Sequence, residues 1–325
     1  MAEPEIDVVA IGNAIVDVLS QADDGFLETH GLAKGVMTLI DASGAEGLYA
    51  AMGPGVEMSG GSAANTVAGL ASFGGSAGFI GKVRDDQLGA VFSHDIRSLG
   101  VSFTTAPATE GAATARCLIL VTPDAQRTLN TYLGACTVLG PDDIDPETIS
   151  AAKVIYLEGY LWDPPGAKQA FRKAMDIARK AGRKVALSLS DPFCVDRYRE
   201  EFHALVTDGV DLLFANEAEL ISLYEAESFD EALQQIRGHC EVAALTRGDK
   251  GSVVVSGDEV HVIDAEPVAR LVDTTGAGDL YAAGFLFGYT QGEDLARCGR
   301  LGGLAASEVI SHFGARPETP LKALL

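Results

Sequence analysis

This chain has no apolar run close to the ~20 uninterrupted residues that a membrane span needs. Its first residues, MAEPEIDVVAIG, contain neither a basic leader nor the apolar core of a signal peptide. A soluble, cytoplasmic protein is expected. Cysteine is sparse: Cys117, Cys136, Cys194, Cys240 and Cys298 are widely scattered and make no CxxC or Cys/His pattern, so isolated buried thiols are expected rather than a metal site. Basic residues are also short, 24 Lys and Arg against 46 Asp and Glu, for a net charge of −22. That balance argues against DNA, RNA or an anionic membrane surface as a partner, while leaving room for a small ligand in a locally electropositive site. The motifs G-x-x-x-x-G-K-[ST], H-E-x-x-H and G-x-S-x-G are all missing, and GAGDLY lacks the third glycine of the dinucleotide fingerprint. The usual nucleoside-triphosphatase, dinucleotide-binding, zinc-protease and serine-hydrolase readings lose their main support.

What is present is enough apolar sequence, 47% of 325 residues, to bury one large core or two ordinary ones. Short β-rich runs, IDVVAIG (6–12), VIYLEG (154–159), KVALSL (184–189) and DLLFAN (211–216), alternate with helical candidates. The clearest helix is PGAKQAFRKAMDIARKAG (165–182), opened by proline and closed by glycine. This alternation predicts an α/β fold with a doubly wound parallel sheet flanked by helices. Two regions break the rhythm. Residues 13–42 and 104–136 read as strands without intervening helices, including ATARCLILV and RTLNTYL joined by the turn TPDAQ, and are expected to form a small antiparallel β-sheet lid. The core domain would then comprise residues 1–12, 43–103 and 137–325. A late hairpin, GSVVVS and EVHVIDA, turns at Gly257 and Asp258.

The stretch DTTGAGDLYAAGF (273–285) sets Gly276, Ala277 and Gly278 at the start of an apolar helix. Unpaired N–H groups and the positive end of the helix dipole make that place suited to an anion, and glycine lets a phosphate approach closely. Asp279 either stabilises the dipole or takes a proton from a hydroxyl attacking a phosphoryl group held by the adjacent amides. A second stretch, EMSGGSAANTVAGLASFGGSAGFIGKVRDDQLG (57–89), places Gly60, Gly61 and Ser62 before another helix, with Asn65 in its first turn. Capping is the plain role for Ser62 and Asn65, and ligand binding the alternative.

Together the two stretches resemble the N- and C-terminal signatures of the PfkB family of carbohydrate and nucleoside kinases, the ribokinase-like fold, and the likeness runs the length of the chain. The resemblance implies ATP and Mg²⁺ as cofactors, Gly276, Ala277 and Gly278 as the anion hole, and Asp279 as the catalytic base. It implies that Asn216 and Glu219, in ANEAEL, organise Mg²⁺ and its waters, and that Thr246, Arg247, Gly248 and Gly251, in TRGDKGS, lie along the nucleotide. A monovalent cation such as K⁺ would sit beside the anion hole on Asp273 and the Thr275 carbonyl. For the acceptor, Asn13 and Asp17 in GNAIVD, with Gly60, Gly61 and Asn65, would hold sugar hydroxyls.

GNAIVDVL and LSLSDPF are more like the adenosine-kinase-type members, with Phe193 as an aromatic wall for a base; Tyr160 and Trp162 would add another stacking surface, the alternative being that these aromatics pack the core. The implied reaction is phosphoryl transfer to the 5′-hydroxyl of a purine nucleoside such as adenosine. A sugar kinase acting on ribose or fructose and a catalytically silent nucleoside-binding protein are the alternatives. Arg84, Arg116 and Arg127 depart from a purely apolar base pocket; they fit a sugar acid or phosphate, lid closure, or solvated surface. Monomer and homodimer both suit an exposed lid edge.

Overall fold

The computed structural model describes residues 4–124 and 126–325. Its strands are β1 (Ile6–Ile11), β2 (Ile15–Gln21), β3 (Met37–Leu39), β4 (Gly55–Gly60), β5 (Ala77–Ile80), β6 (Val101–Phe103) and β7 (Ala115–Val121). They continue with β8 (Arg127–Tyr132), β9 (Ala152–Glu158), β10 (Lys184–Ser188), β11 (Leu212–Asn216), β12 (Val242–Thr246), β13 (Ser252–Ser256) and β14 (Glu259–Ile263).

Among the described residues, nine strands make the larger sheet in the order β14-β13-β12-β11-β10-β9-β1-β5-β6. The stretch from β12 to β6 is parallel, and β13 and β14 add the expected hairpin antiparallel at one edge. A parallel sheet covered on both faces needs strands that are apolar at successive positions. In β1 the residues alternate between two cores, Val8 and Ala10 packing on one face, Val9 and Ile11 on the other. The predicted helix from Pro165 is observed as Pro165–Lys180 and covers the second face, where Phe171, Ala174 and Ala178 are buried.

The chain leaves β1 toward β5 and β6 on one side and returns to β9, β10 and beyond on the other, so the strand order reverses between β1 and β9. In open α/β sheets the crevice outside the carboxyl ends of the strands at such a point is where ligands bind.

The second sheet has five strands in the order β3-β8-β7-β2-β4. Three features differ from the expectation. The sheet is mixed rather than antiparallel, because β2 runs parallel to β7 and β3 parallel to β8. β4 lies within 43–103, assigned to the core, yet pairs with β2 from Ile15↔Gly60 to Ser20↔Gly55; GVEMSG holds two glycines and too little β-branched sequence to announce a strand. Short helices, Asp24–Thr29 and Ala42–Ala51, connect β2 to β3 and β3 to β4, each capped by an aspartate side chain, Asp23 and Asp41. The expected turn TPDAQ includes Ala125, which lies outside the described residues, as does the start of the expected segment 1–12. No helix of the described residues is long and apolar enough to cross a membrane. All five cysteines are free thiols; Cys117, Cys136 and Cys298 are buried, while Cys194 and Cys240 are half-buried.

Candidate active site

Asp279 is the third residue of the helix Ala277–Thr290. Its carboxylate accepts from two side chains of the other glycine-rich stretch: Ser62 Oγ donates to Oδ1 at 2.6 Å and Asn65 Nδ2 to Oδ2 at 2.9 Å. Neither Ser62 nor Asn65 spends its side chain on a helix cap. The cap of their helix, Ser62–Phe73, is Gly61 at φ 95°, where an added Cβ would lie 2.2 Å from the Asn13 carbonyl oxygen. Glycine is required there both by the positive φ and by the close approach. Burial raises the pKa of Asp279, while the two hydrogen bonds and the charge of Arg316 pull it down. Asn65 Oδ1 is buried without a hydrogen-bond partner among the described residues. A buried acceptor left open is costly unless a ligand donor fills it.

The helix bearing Asp279 begins at Gly276, φ 80°, with no side-chain cap. The N–H groups of Gly276 and Gly278 meet no acceptor among the described residues. A Cβ added to Gly276 would press to 2.7 Å from the Ala315 side chain, whereas one added to Gly278 meets nothing within 4 Å. Free amides, a helix N-terminus and open space above them form a cradle for an anion.

Asp17, on β2, is half-buried beside this constellation. Burial pushes its pKa up to about 7, against the lowering charges of Arg316 and Arg127, and Asp279 adds to the rise. Gly60 is the passage that lets the chain past this carboxylate: a Cβ there would fall 2.3 Å from Asp17 Oδ2. Asn13, at the exit of β1, gives its side-chain amide to Glu158 at 2.6 Å and its backbone N–H to both Glu158 oxygens at 3.3 Å. Glu158 also accepts from the Ala63 N–H at 2.8 Å, and burial raises it to about 7.

Glu158 and Arg316 are the two residues the sequence reading missed. Glu158 ends β9, and a carboxylate at the carboxyl end of a parallel strand was the available signal. Arg316 lies past the last long helix, where nothing local marks it. Its buried guanidinium donates to the Ala64 carbonyl at 2.6 Å and to the Ser59 carbonyl at 2.8 Å. Burial lowers its pKa to about 10, opposed by Asp17, Asp95 and Asp279.

At the carboxyl end of β11, Asn216 and Glu219 form a reciprocal cap. Glu219 N–H donates to Asn216 Oδ1 at 2.9 Å, and Glu219 accepts from Asn216 N–H at 2.9 Å and Nδ2 at 2.6 Å. Glu219 is buried, and desolvation together with the charges of Asp191 and Asp279 raises it to about 7. Carboxylates close enough to repel one another make a setting that a divalent cation relieves. Among the described residues no three acidic, His or Cys side chains converge as a ligand cage. Glu219, with the Asn216 amide beside it, would hold Mg²⁺ through the ion's waters.

Thr246 closes β12, and the segment after it is a tight turn with Arg247 N–H bonded to the Gly251 carbonyl at 2.8 Å. Arg247 is committed to Glu217 at 3.1 Å and to the face of Phe229, 4.0 Å from its centroid. Gly248 and Gly251 both have positive φ, and Gly251 brings the turn against the backbone at residues 263–265.

Tyr160 and Phe193 are 39% and 57% exposed at the ends of β9 and β10, the two large aromatics of this rim that remain open to a ligand. Arg197 lies over the Phe193 ring at 4.4 Å. Between them Ser190 takes φ 71°, a strained conformation for a non-glycine residue, and its hydroxyl accepts from Tyr160 N–H at 3.3 Å. Trp162 takes the core-packing alternative. It is fully buried against Phe171 and Phe202 with its indole N–H on Glu201, so it packs the core instead of offering a stacking surface.

Arg84 is tied to the Gly111 carbonyl at 2.8 Å, and Arg116 lies 5.6 Å from the Tyr49 ring centroid. Arg127 is buried and paired with Asp273 at 3.0 Å. Asp273 also accepts from the N–H and hydroxyl of Thr275 and from the Gly314 N–H.

The chain is similar to known proteins over most of its length. Residues 36–322 match the model of the pfkB family carbohydrate kinases. A solved structure described as adenosine kinase from Sinorhizobium meliloti is 54% identical, with a TM-score of 0.91 and 98% of each chain covered. Another, described as a probable sugar kinase protein from Rhizobium etli CFN 42, is 50% identical with a TM-score of 0.92, covering 99% of this chain and 98% of that one. The adenosine kinase of Saccharomyces cerevisiae is 27% identical over 94% of this chain and 95% of its own length.

Proposed function

This chain belongs to the pfkB family of carbohydrate kinases, and we propose that it transfers the γ-phosphoryl group of ATP to the 5′-hydroxyl of a purine nucleoside, adenosine in the first instance. The observation that carries the reaction type is Asp279, a half-buried carboxylate held by Ser62 and Asn65 at the mouth of an open amide cradle. A base whose pKa burial raises can take the proton of the attacking hydroxyl as the oxygen reaches phosphorus. The amides of Gly276 and Gly278 face the charge that develops on the transferred group. Mg²⁺, when bound, neutralises phosphate charge; Asn216 and Glu219 would hold its water shell.

Asp17 and the open Asn65 oxygen are the acceptors for ribose hydroxyls, and Glu158 acts through Asn13, fixing the exit of β1 against the start of the helix that carries Ser62. The smaller sheet, roofing Asp17 and Arg127 over the cradle, is the lid that excludes water. Two supports favour a nucleoside over a free sugar: the exposed pair Tyr160 and Phe193 at the rim, and 54% identity to the S. meliloti adenosine kinase. A sugar acceptor is the second reading, favoured by the 50% identical R. etli protein described as a probable sugar kinase.

The test is Mg²⁺- and ATP-dependent ADP formation with adenosine, guanosine, inosine, ribose and fructose. Turnover with nucleosides that falls by about 10²–10⁴ in Asp279→Asn is expected, the range for removing a general base. Turnover confined to ribose or fructose would replace the acceptor and keep the base.

A further inference from the structure

The implied monovalent-cation site is the place where this chain departs from its resemblance. A cation beside the phosphate cradle would need the Asp273 carboxylate, yet both oxygens are already engaged. Oδ1 accepts from Thr275 N–H at 3.0 Å and Thr275 Oγ at 2.8 Å; Oδ2 accepts from Gly314 N–H at 3.1 Å and lies 3.0 Å from Arg127 Nη2. Arg127 and Asp273 are both less than a tenth exposed at their side chains, so water screens the pair little. The guanidinium also lies over the Phe313 ring, 5.5 Å from the centroid. A second positive charge on the same carboxylate would meet the first at short range in a poorly screened site. The residues present do not fit a bound K⁺.

Resting on the kinase reading of residues 273–279, we propose that Arg127 is the resident cation of the phosphate-binding loop, supplied by the smaller sheet in place of a monovalent metal ion. Arg127 is the first residue of β8, whereas Asp273 precedes the cradle by three residues, so the pair joins the roof over the acceptor to the loop that holds the phosphate. A guanidinium is always charged and is planar, so it supplies a fixed orientation that an exchangeable ion does not. Its Nε and Nη2 are both buried with no hydrogen-bond acceptor among the described residues, so the pair with Asp273 is a charge contact and two donors stay unspent in the protein alone. Arg127 is a positioning residue here: it holds the loop and the roof in register and takes no part in bond making.

The experiment compares wild type, Arg127→Lys and Arg127→Ala in potassium chloride and in tetramethylammonium chloride at equal ionic strength, reading both the rate of ADP formation and the thermal midpoint. Wild type is expected to change by less than about twofold between the salts. Arg127→Ala is expected to lose at least about tenfold in kcat, as when an oriented electrostatic group is removed beside a reacting phosphate. K⁺ alone should then restore part of that loss and raise the thermal midpoint of Arg127→Ala, because the carboxylate is freed for it. Arg127→Lys should stay insensitive to K⁺. Strong K⁺ activation of the wild type would overturn the proposal, and so would an Arg127→Ala protein that K⁺ neither reactivates nor stabilises. If no acceptor is turned over at all, the kinase reading fails, while the thermal comparison still decides whether Arg127 excludes the ion.

Discussion

At the scale of single residues, the site is a balance of buried charges. The charge of Arg316 acts on both Asp17 and Asp279 and lowers the pKa of each. Removing that cation in Arg316→Met should raise the pKa of the base, so the acid limb of the kcat–pH profile moves to higher pH while the alkaline side stays in place. An unmoved limb would mean that Arg316 serves only the fold, through Ser59 and Ala64. Phe193 carries a prediction of another kind. Phe193→Ala removes an exposed ring that contributes little to the core, so it should leave stability within about 0.5 kcal/mol. It should raise KM for adenosine by about tenfold, in line with the 1–3 kcal/mol of a base stacked on an aromatic side chain, and leave KM for ATP unchanged. Equal losses for both substrates in steady-state kinetics would remove Phe193 from the acceptor side.

Elements, rather than residues, decide which glycines are structural. Gly276→Ala forces a Cβ to 2.7 Å from Ala315 at φ 80°, and a destabilisation of about 1–3 kcal/mol is expected by chemical denaturation. Gly278→Ala, two residues on, adds a methyl to open space inside the first helical turn. It should keep or gain up to about 1 kcal/mol of stability and still weaken ATP, because the methyl fills the space over the amides. A Gly278→Ala enzyme with normal KM for ATP would show that phosphate does not rest there.

The sequence made both glycine-rich helix starts legible, since their chemistry is local, and with them Asp279, Asn65 and the parallel sheet. It hid whatever is made between distant segments. Glu158 meets Asn13 across 145 positions and Arg316 meets Ala64 across 252. Trp162 looked available because an aromatic beside a strand end carries no sign of which way it points. β4 was hidden because glycine dilutes its strand signal, and that strand moved a stretch assigned to the core into the smaller sheet.

For the molecule as a whole, the buried acids set the response to pH. Asp17, Glu158 and Glu219 each stand near 7 in the folded chain, above the ordinary carboxylate range. At these three positions the folded chain therefore binds more protons than the unfolded one between about pH 4 and 7. Their contribution to stability is complete below the unfolded values and is lost as pH rises through 7. Without ligands, the thermal midpoint should fall from about pH 5 to pH 8, and Glu219→Gln should flatten that slope. A midpoint that rises across the window would show these groups ionised throughout.

The parallel pairing of β2 with β7 has a consequence of timing. Ile15 must wait for Ala115, a lag of 115 − 15 = 100 residues, on the order of 5–20 s of synthesis. Until then β2 can zip only to β4, and its other edge is an unpaired template leaving the ribosome. Fragments that stop short of residue 115 should be the sticky ones, and the burden this protein places on a cell's chaperones is set by one missing neighbour rather than by its finished surface.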